Sequence, residues 1–218
     1  MAPSPPNLSA AEALARMRDG NARFASNVVS VDSLARMLRR QDLAHEARPF
    51  AIVLGCSDAR APAELVFDQG LGDLFVIRVA GNVVSPSQVG SVEFAAERYG
   101  ARLVVVMGHT HCGAVEATLA AIEGSGAPTS TNLLSILQRV RPSVETVRDA
   151  AAGLAREALL RKAARANVRM SVDHLRHGSA VLERLIEREG LAVVGGEYDV
   201  ETGRVDFFDE PFGNEGAG

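Results

Sequence analysis

The sequence predicts an α/β protein: a mostly parallel central sheet flanked by helices, with an antiparallel edge strand near the C-terminus. Three observations carry this expectation. Short apolar runs recur at residues 50–54, 74–79, 103–107 and 191–195. They are too short for helices and continuous rather than alternating, as strands covered on both faces are. The stretches between them carry helix starts and stops. Finally, a turn signal at Asp199-Val200-Glu201-Thr202-Gly203 precedes residues 204–208, which read as a hairpin partner of the last run.

In chain order, residues 1–8 are proline-rich and extended. Ser9-Ala10-Ala11-Glu12 fits a capping box, so a helix follows to about Ser26 with Leu14, Met17 and Phe24 on its apolar side. A second helix is expected from Asp32 to about Ala44, with His45 in the polar segment after it. Pro49 ends that segment and the first strand begins. Pro62-Ala63-Glu64-Leu65 suits the first turn of a short helix. Gly70-Leu71-Gly72 is a turn; it lacks the spacing and the lysine of a phosphate loop. The second strand follows, broken by Gly81 and Asn82. Residues 86–100 form a helix with Val89, Val92, Phe94, Ala95 and Ala96 supplying apolar contacts. After the third strand a helix starts near Gly113 and ends near Gly124, where a loop opens over 124–130. Residues 131–190 read as nearly continuous helix broken near Pro142, Gly153 and Gly178, and residues 213–218 as a loose tail.

Composition narrows the function classes. A chain of 218 residues suits one large domain or two small ones. The net charge of −4 and pI near 5.8 exclude a typical basic nucleic-acid surface. No apolar run approaches the ~20 residues of a membrane span. The N-terminus lacks the charged and apolar regions of a secretory signal, so a cytoplasmic protein is expected. In that reducing setting the only two cysteines read as metal ligands or catalytic thiols rather than a disulfide; the plain alternative is two small buried hydrophobes.

Their settings favour chemistry. Cys56-Ser57-Asp58-Ala59-Arg60 follows one apolar run and Gly55; His109-Thr110-His111-Cys112 follows another and Gly108. Two parallel strands releasing these groups at their carboxyl ends would bring Cys56, His109 and Cys112 together, in the crevice where open α/β sheets keep their sites. Two cysteines and one histidine are a recognised catalytic zinc set, with water in the fourth position. A third cysteine is missing, so a closed all-thiolate site is impossible. Asp58, two residues past Cys56, is a candidate fourth ligand. Arg60 could hold its carboxylate in a bidentate pair, keeping it ionised, off the metal and free to accept a proton; an ordinary loop salt bridge is the bland reading. Two thiolates cancel the charge of Zn²⁺, so such a site should acidify its water less than a three-histidine site, where the pKa falls to about 7. Asp58 raises that pKa further and Arg60 offsets it.

The combination of motifs resembles the β-class carbonic anhydrases. The matching pieces are residues 56–60, then Phe67-Asp68-Gln69-Gly70-Leu71-Gly72-Asp73-Leu74-Phe75-Val76-Ile77-Arg78, Ala80-Gly81-Asn82, Gly90-Ser91-Val92-Glu93-Phe94-Ala95 and Gly108-His109-Thr110-His111-Cys112-Gly113-Ala114. The similarity spans nearly the whole chain, from Ala11 to Asp199. It implies the β-carbonic-anhydrase fold over residues 1–218, with 1–45 an N-terminal helical arm. It also implies reversible hydration of CO₂ to bicarbonate and a proton, by attack of zinc-bound hydroxide. Cys56, His109 and Cys112 would bind Zn²⁺. Asp58 and Arg60 would be the catalytic dyad, with Asp58 ligating zinc in a closed, inactive form. The resemblance further implies a homodimer or tetramer whose N-terminal helices embrace a neighbour, with CO₂ and bicarbonate as small-molecule partners and no nucleic acid or membrane. Some members are shut off by bicarbonate in a pocket that uses a tryptophan; this chain has none, and Val53 stands in its place. Ala61 replaces a bulkier valine, which predicts a slightly roomier pocket.

Rival readings are a carbon disulfide or carbonyl sulfide hydrolase on the same scaffold, a non-catalytic zinc module, and a thiol redox protein. The last lacks C-x-x-C spacing. His111, between two ligand candidates, invites a proton-shuttle role, though a surface position is the default. His174 and His177 read as packing or surface residues, and the arginines between 156 and 176 as a solvated helix face.

Overall fold

The structure is a computed structural model that describes residues 7–32, 35, 47–126, 130–150 and 153–211. Most of the second helix, His45, the first six residues, part of the loop at 124–130 and the C-terminal tail lie outside the described residues. The elements are α1 (Ala10–Ala25), β1 (Ala51–Gly55), α2 (Ala63–Val66), β2 (Leu74–Arg78), α3 (Pro86–Tyr99), β3 (Leu103–His109), α4 (Gly113–Ile122), α5 (Thr131–Ala150), α6 (Arg156–His177), α7 (Ala180–Glu189), β4 (Ala192–Tyr198) and β5 (Val205–Phe208). A short 3₁₀ turn spans Ala80–Asn82. No helix among the described residues is long and apolar enough to cross a membrane.

The five strands form one sheet in the order β2-β1-β3-β4-β5. The first four are parallel and β5 closes the edge antiparallel to β4, as the turn signal predicts. The inner strands β1, β3 and β4 are buried along their whole length. Alternate residues serve opposite faces, so each strand feeds two cores. Ala51, Val53, Val105 and Met107 pack on one face against Leu14 and Met17 of α1 and Phe67 after α2. Ile52, Leu54, Val104 and Val106 pack on the other against Val92 of α3, Val168 and Leu175 of α6, and Leu182 of α7. Each fully buried Val, Leu or Ile contributes roughly 1.5–3 kcal/mol of transfer free energy, which makes these faces the main support of the fold. A third cluster gathers Val83, Val115, Leu119, Val140, Val144, Ala163 and Ala164 around Cys56 and Cys112.

Local signals perform as their chemistry dictates. The Ser9–Glu12 capping box is formed on both sides. Gly100 takes the left-handed conformation that stops α3. Pro62 stands at the N-cap of α2, one place earlier than expected. Two expectations need correction. Helix α5 runs through Pro142 without a break. Proline in a helix interior costs about 3 kcal/mol, and apolar burial of Val140 and Val144 on either side of it offsets that cost. Phe94 supplies apolar contacts as expected, to Phe75 and Tyr99 at the rim of the sheet, although half of it is exposed. The arginine face of α6 is not simply solvated. Arg165 pairs with Glu197 and Asp206 and lies 4.0 Å over the Phe208 ring, while Arg176 donates to the carbonyls of Val193 and Asp209. These residues seat the hairpin edge on the helix.

Candidate metal centre

β1 and β3 are hydrogen-bonded neighbours, so their carboxyl ends open side by side. Cys56 is the first residue beyond β1, His109 is the last of β3, and Cys112 is the N-cap of α4. All three are buried, and their sulfur and nitrogen ligand atoms lie within 4.8 Å of one another. Both cysteines are free thiols. Ligands about 2.0–2.3 Å from a tetrahedral zinc ion stand some 3.5–4 Å apart, so this trio has the right span.

The donors are prepared for a cation. The imidazole Nδ1 of His109 lies 2.8 Å from the Thr110 carbonyl. A carbonyl can only accept, so Nδ1 carries the proton and Nε2 keeps its lone pair. That Nε2 is buried without a hydrogen-bond partner among the described residues. A buried nitrogen with a free lone pair beside two thiols is a donor set that suits a divalent cation. The Gly81 N–H donates to Cys56 Sγ at 3.3 Å. The hydrogen bond from Cys112 chiefly pulls the Cys56 thiol down, with His109 and the N–H groups of Asp58 and Gly81 assisting against burial. The same contact, burial and the Cys56 charge push Cys112 up, while N–H groups in the first turn of α4 oppose them. Two adjacent thiols resist ionising together, and a dication between them removes that conflict. Burial pulls the His109 pKa down, but the adjacent Cys56 sulfur, the Thr110 carbonyl and Asp58 outweigh it.

Asp58 is gripped by Arg60 at both oxygens. Nε donates to Oδ1 at 3.0 Å and a terminal nitrogen donates to Oδ2 at 2.7 Å, while the Arg60 backbone N–H adds a third bond at 2.9 Å. Arg60 also donates to the His111 carbonyl at 3.1 Å, tying the two loops together. This pairing holds the Asp58 carboxyl well below the usual carboxylate range. Asp58 Oδ2 lies 3.9 Å from His109 Nε2, at the edge of the triad rather than inside it.

All five residues singled out in the sequence therefore meet at one place. His111 does not join them. Its φ is +55° and its Nε2 lies 3.4 Å from Glu201, on a 42% exposed side chain. His174 and His177 are exposed. Ala61 and Val53 are buried.

Sequence reasoning gave no role to Arg78 and overlooked Asn167. Arg78 closes β2 and donates to the carbonyls of Cys56 and Asp58, so it braces the loop from the neighbouring strand. Its signal was a charged residue ending an apolar strand at the functional end of the sheet. Asn167 of α6 donates to the Gly81 carbonyl at 2.7 Å. It is a polar residue in a buried helical stripe with Ala163, Ala164 and Ser171. Gly81 has φ +69°, a conformation that suits glycine.

Comparison with known proteins places this arrangement. The carbonic anhydrase family model matches residues 51–205. A carbonic anhydrase of Mycolicibacterium smegmatis is 38% identical over 92% of this chain and 94% of its own length. The crystal structure of the β-carbonic anhydrase CafA of Aspergillus fumigatus superposes with a TM-score of 0.72 at 28% identity, covering 91% of this chain and 90% of that one. Tetrameric β-carbonic anhydrases of Sordaria macrospora share the fold, with a TM-score of 0.72 at 22% identity over 88% and 94% of the two chains. With the sheet, the triad and these matches in agreement, the chain belongs to the β-class carbonic anhydrases, a family of enzymes whose general reaction is the hydration of CO₂.

Proposed function

We propose that this chain catalyses the reversible hydration of CO₂ to bicarbonate and a proton, with Zn²⁺ held by Cys56, His109 and Cys112 and with Asp58 and Arg60 as the catalytic dyad. The observation that carries the reading is the buried convergence of two sulfurs and the His109 Nε2, which has no hydrogen-bond partner among the described residues. Zinc at such a site supplies a Lewis acid that lowers the pKa of water. The chain's own residues do the rest. Thr110 holds the imidazole in the tautomer that presents Nε2. Gly81 supports the Cys56 sulfur. Arg60 occupies both Asp58 oxygens, which keeps that carboxylate ionised and held at the edge of the donor set. Asp58 is then free to accept a proton from the attacking water at Oδ2. In a closed form, release of Arg60 would let Asp58 serve as a fourth ligand. Val83 and Val115 pack with Cys56 and Cys112 in one buried apolar cluster.

The wider reading treats residues 1–218 as one domain with residues 1–45 as an N-terminal arm, assembled as a homodimer or tetramer in the cytoplasm. The tetrameric relatives of the same fold support the assembly. The test is zinc content and stopped-flow CO₂ hydration from pH 6.5 to 9 on one sample, with Asp58→Ala as control. Stoichiometric zinc with rapid hydration, lost in Asp58→Ala, is the expected outcome. Zinc without hydration at any pH, or sulfide release from carbonyl sulfide in its place, would overturn it.

A further inference from the structure

Helix α6 lies behind the metal centre and makes a paired contact with the turn at Ala80–Asn82. Asn167 donates to the Gly81 carbonyl at 2.7 Å, and Ser171, one helical turn on, donates to the Asn82 carbonyl at 3.1 Å. Both side chains are buried, Asn167 at 2% exposure and Ser171 at 5%. A buried side-chain amide spent on a backbone carbonyl is a directed contact, because a wrong orientation would leave that amide unsatisfied. The turn they hold has two unusual residues, Gly81 at φ +69° and Asn82 at φ +43°. The Gly81 N–H, one peptide away from the clamped carbonyl, is the group that donates to Cys56 Sγ.

We infer that Asn167, supported by Ser171, is a positioning residue for the metal centre: it fixes the Gly81 turn so that its N–H stays aimed at the Cys56 sulfur, and it thereby sets how strongly that thiolate donates to the bound ion. The inference rests on Cys56 being a metal ligand, as proposed above. The chemistry follows from the sulfur's electrons. A hydrogen bond to a ligand sulfur withdraws charge from it, and the groups that orient ligands are typically worth 10–100-fold in metal affinity. Packing explains why this task falls to α6. The helix approaches β3 so closely that a Cβ on Gly108 would sit 2.5 Å from Val168, so the clamp has a rigid base one residue from His109.

The experiment compares full-length wild type with Asn167→Leu, Asn167→Asp and Ser171→Ala. Zinc affinity is measured by chelator competition, and the sulfur-to-metal charge-transfer band is recorded after Co²⁺ substitution. Asn167→Leu and Asn167→Asp are expected to weaken zinc binding about ten-fold, because the Cys56 sulfur is no longer held in place for the ion, and to move the band to lower energy, because a sulfur relieved of its hydrogen bond gives up charge more readily. Ser171→Ala should shift both in the same direction by less. General destabilisation would change how much protein binds cobalt, but it would not move the band. Folded Asn167 variants with wild-type affinity and an unmoved band would overturn the inference. Should neither Asn167 variant fold, Ser171→Ala decides it by the same two readouts. A wild-type protein with no thiolate band would instead sink the metal-site reading itself.

Discussion

The two loops that bring Cys56, His109 and Cys112 together are held by different means. The exit of β3 is fixed by packing. His109 is buried, Gly108 lies against Val168, and Cys112 is locked at the start of α4. The exit of β1 is fixed by charge and hydrogen bonds. Past the buried Cys56 it is largely exposed at Ser57, Ala59 and Arg60, and it keeps its shape through the Arg60–Asp58 grip and the Arg78 brace. The contrast separates two tasks. The side that supplies two of the three ligand candidates is rigid because close-packed groups have nowhere to move. The side that carries Asp58 is built from contacts that can be exchanged, as a carboxylate with two proposed states requires.

Substitutions should divide along that line. The largest effect is expected on the packed side: His109→Ala should abolish stoichiometric zinc binding by elemental analysis, and hydration with it, because two thiolates alone leave the set incomplete. Zinc retained at full occupancy would break the comparison. On the exchangeable side, Asp58→Asn should keep its zinc and its fold but lose about 10²–10⁴ in kcat, the usual contribution of a positioned proton acceptor. Gly108→Ala tests the packing directly. The new Cβ meets Val168 at 2.5 Å, which predicts a loss of about 1–3 kcal/mol in denaturant unfolding. Arg78→Gln removes both bonds from β2 to the Cys56–Asp58 backbone and should cost about 1–2 kcal/mol at most, with activity falling more than zinc affinity. The smallest effect is expected for His111→Ala. Its ring pairs with exposed Glu201, so any loss of rate should be equal in weak and strong buffer. A loss confined to weak buffer would restore a proton-shuttle role.

Much of this architecture was legible in the sequence, for local reasons. The inner strands announce themselves because both faces are buried, so no polar residue interrupts residues 103–107. The capping box at Ser9 and the stop at Gly100 are short-range chemistry and need no tertiary information. Pro142 misled because a local rule was overruled at long range: packing against α4 and α6 carries α5 through it. The α6 arginines misled because their partners, Glu197, Asp206 and Asp209, come from strands and turns more than thirty residues away.

By itself the sequence determined the inventory: two cysteines and a histidine after apolar runs, an aspartate and arginine two residues apart, and the strand and helix periods that carry them. Those follow from residue type and spacing, which are local properties. Only the tertiary structure decided that the two exits share a crevice, that Thr110 takes His109 Nδ1 and turns Nε2 toward the two sulfurs, and that an asparagine far along the chain reaches back to Gly81. Those depend on which strands are neighbours and which helix lies behind them, and the burial energy that settles this is summed over the whole fold.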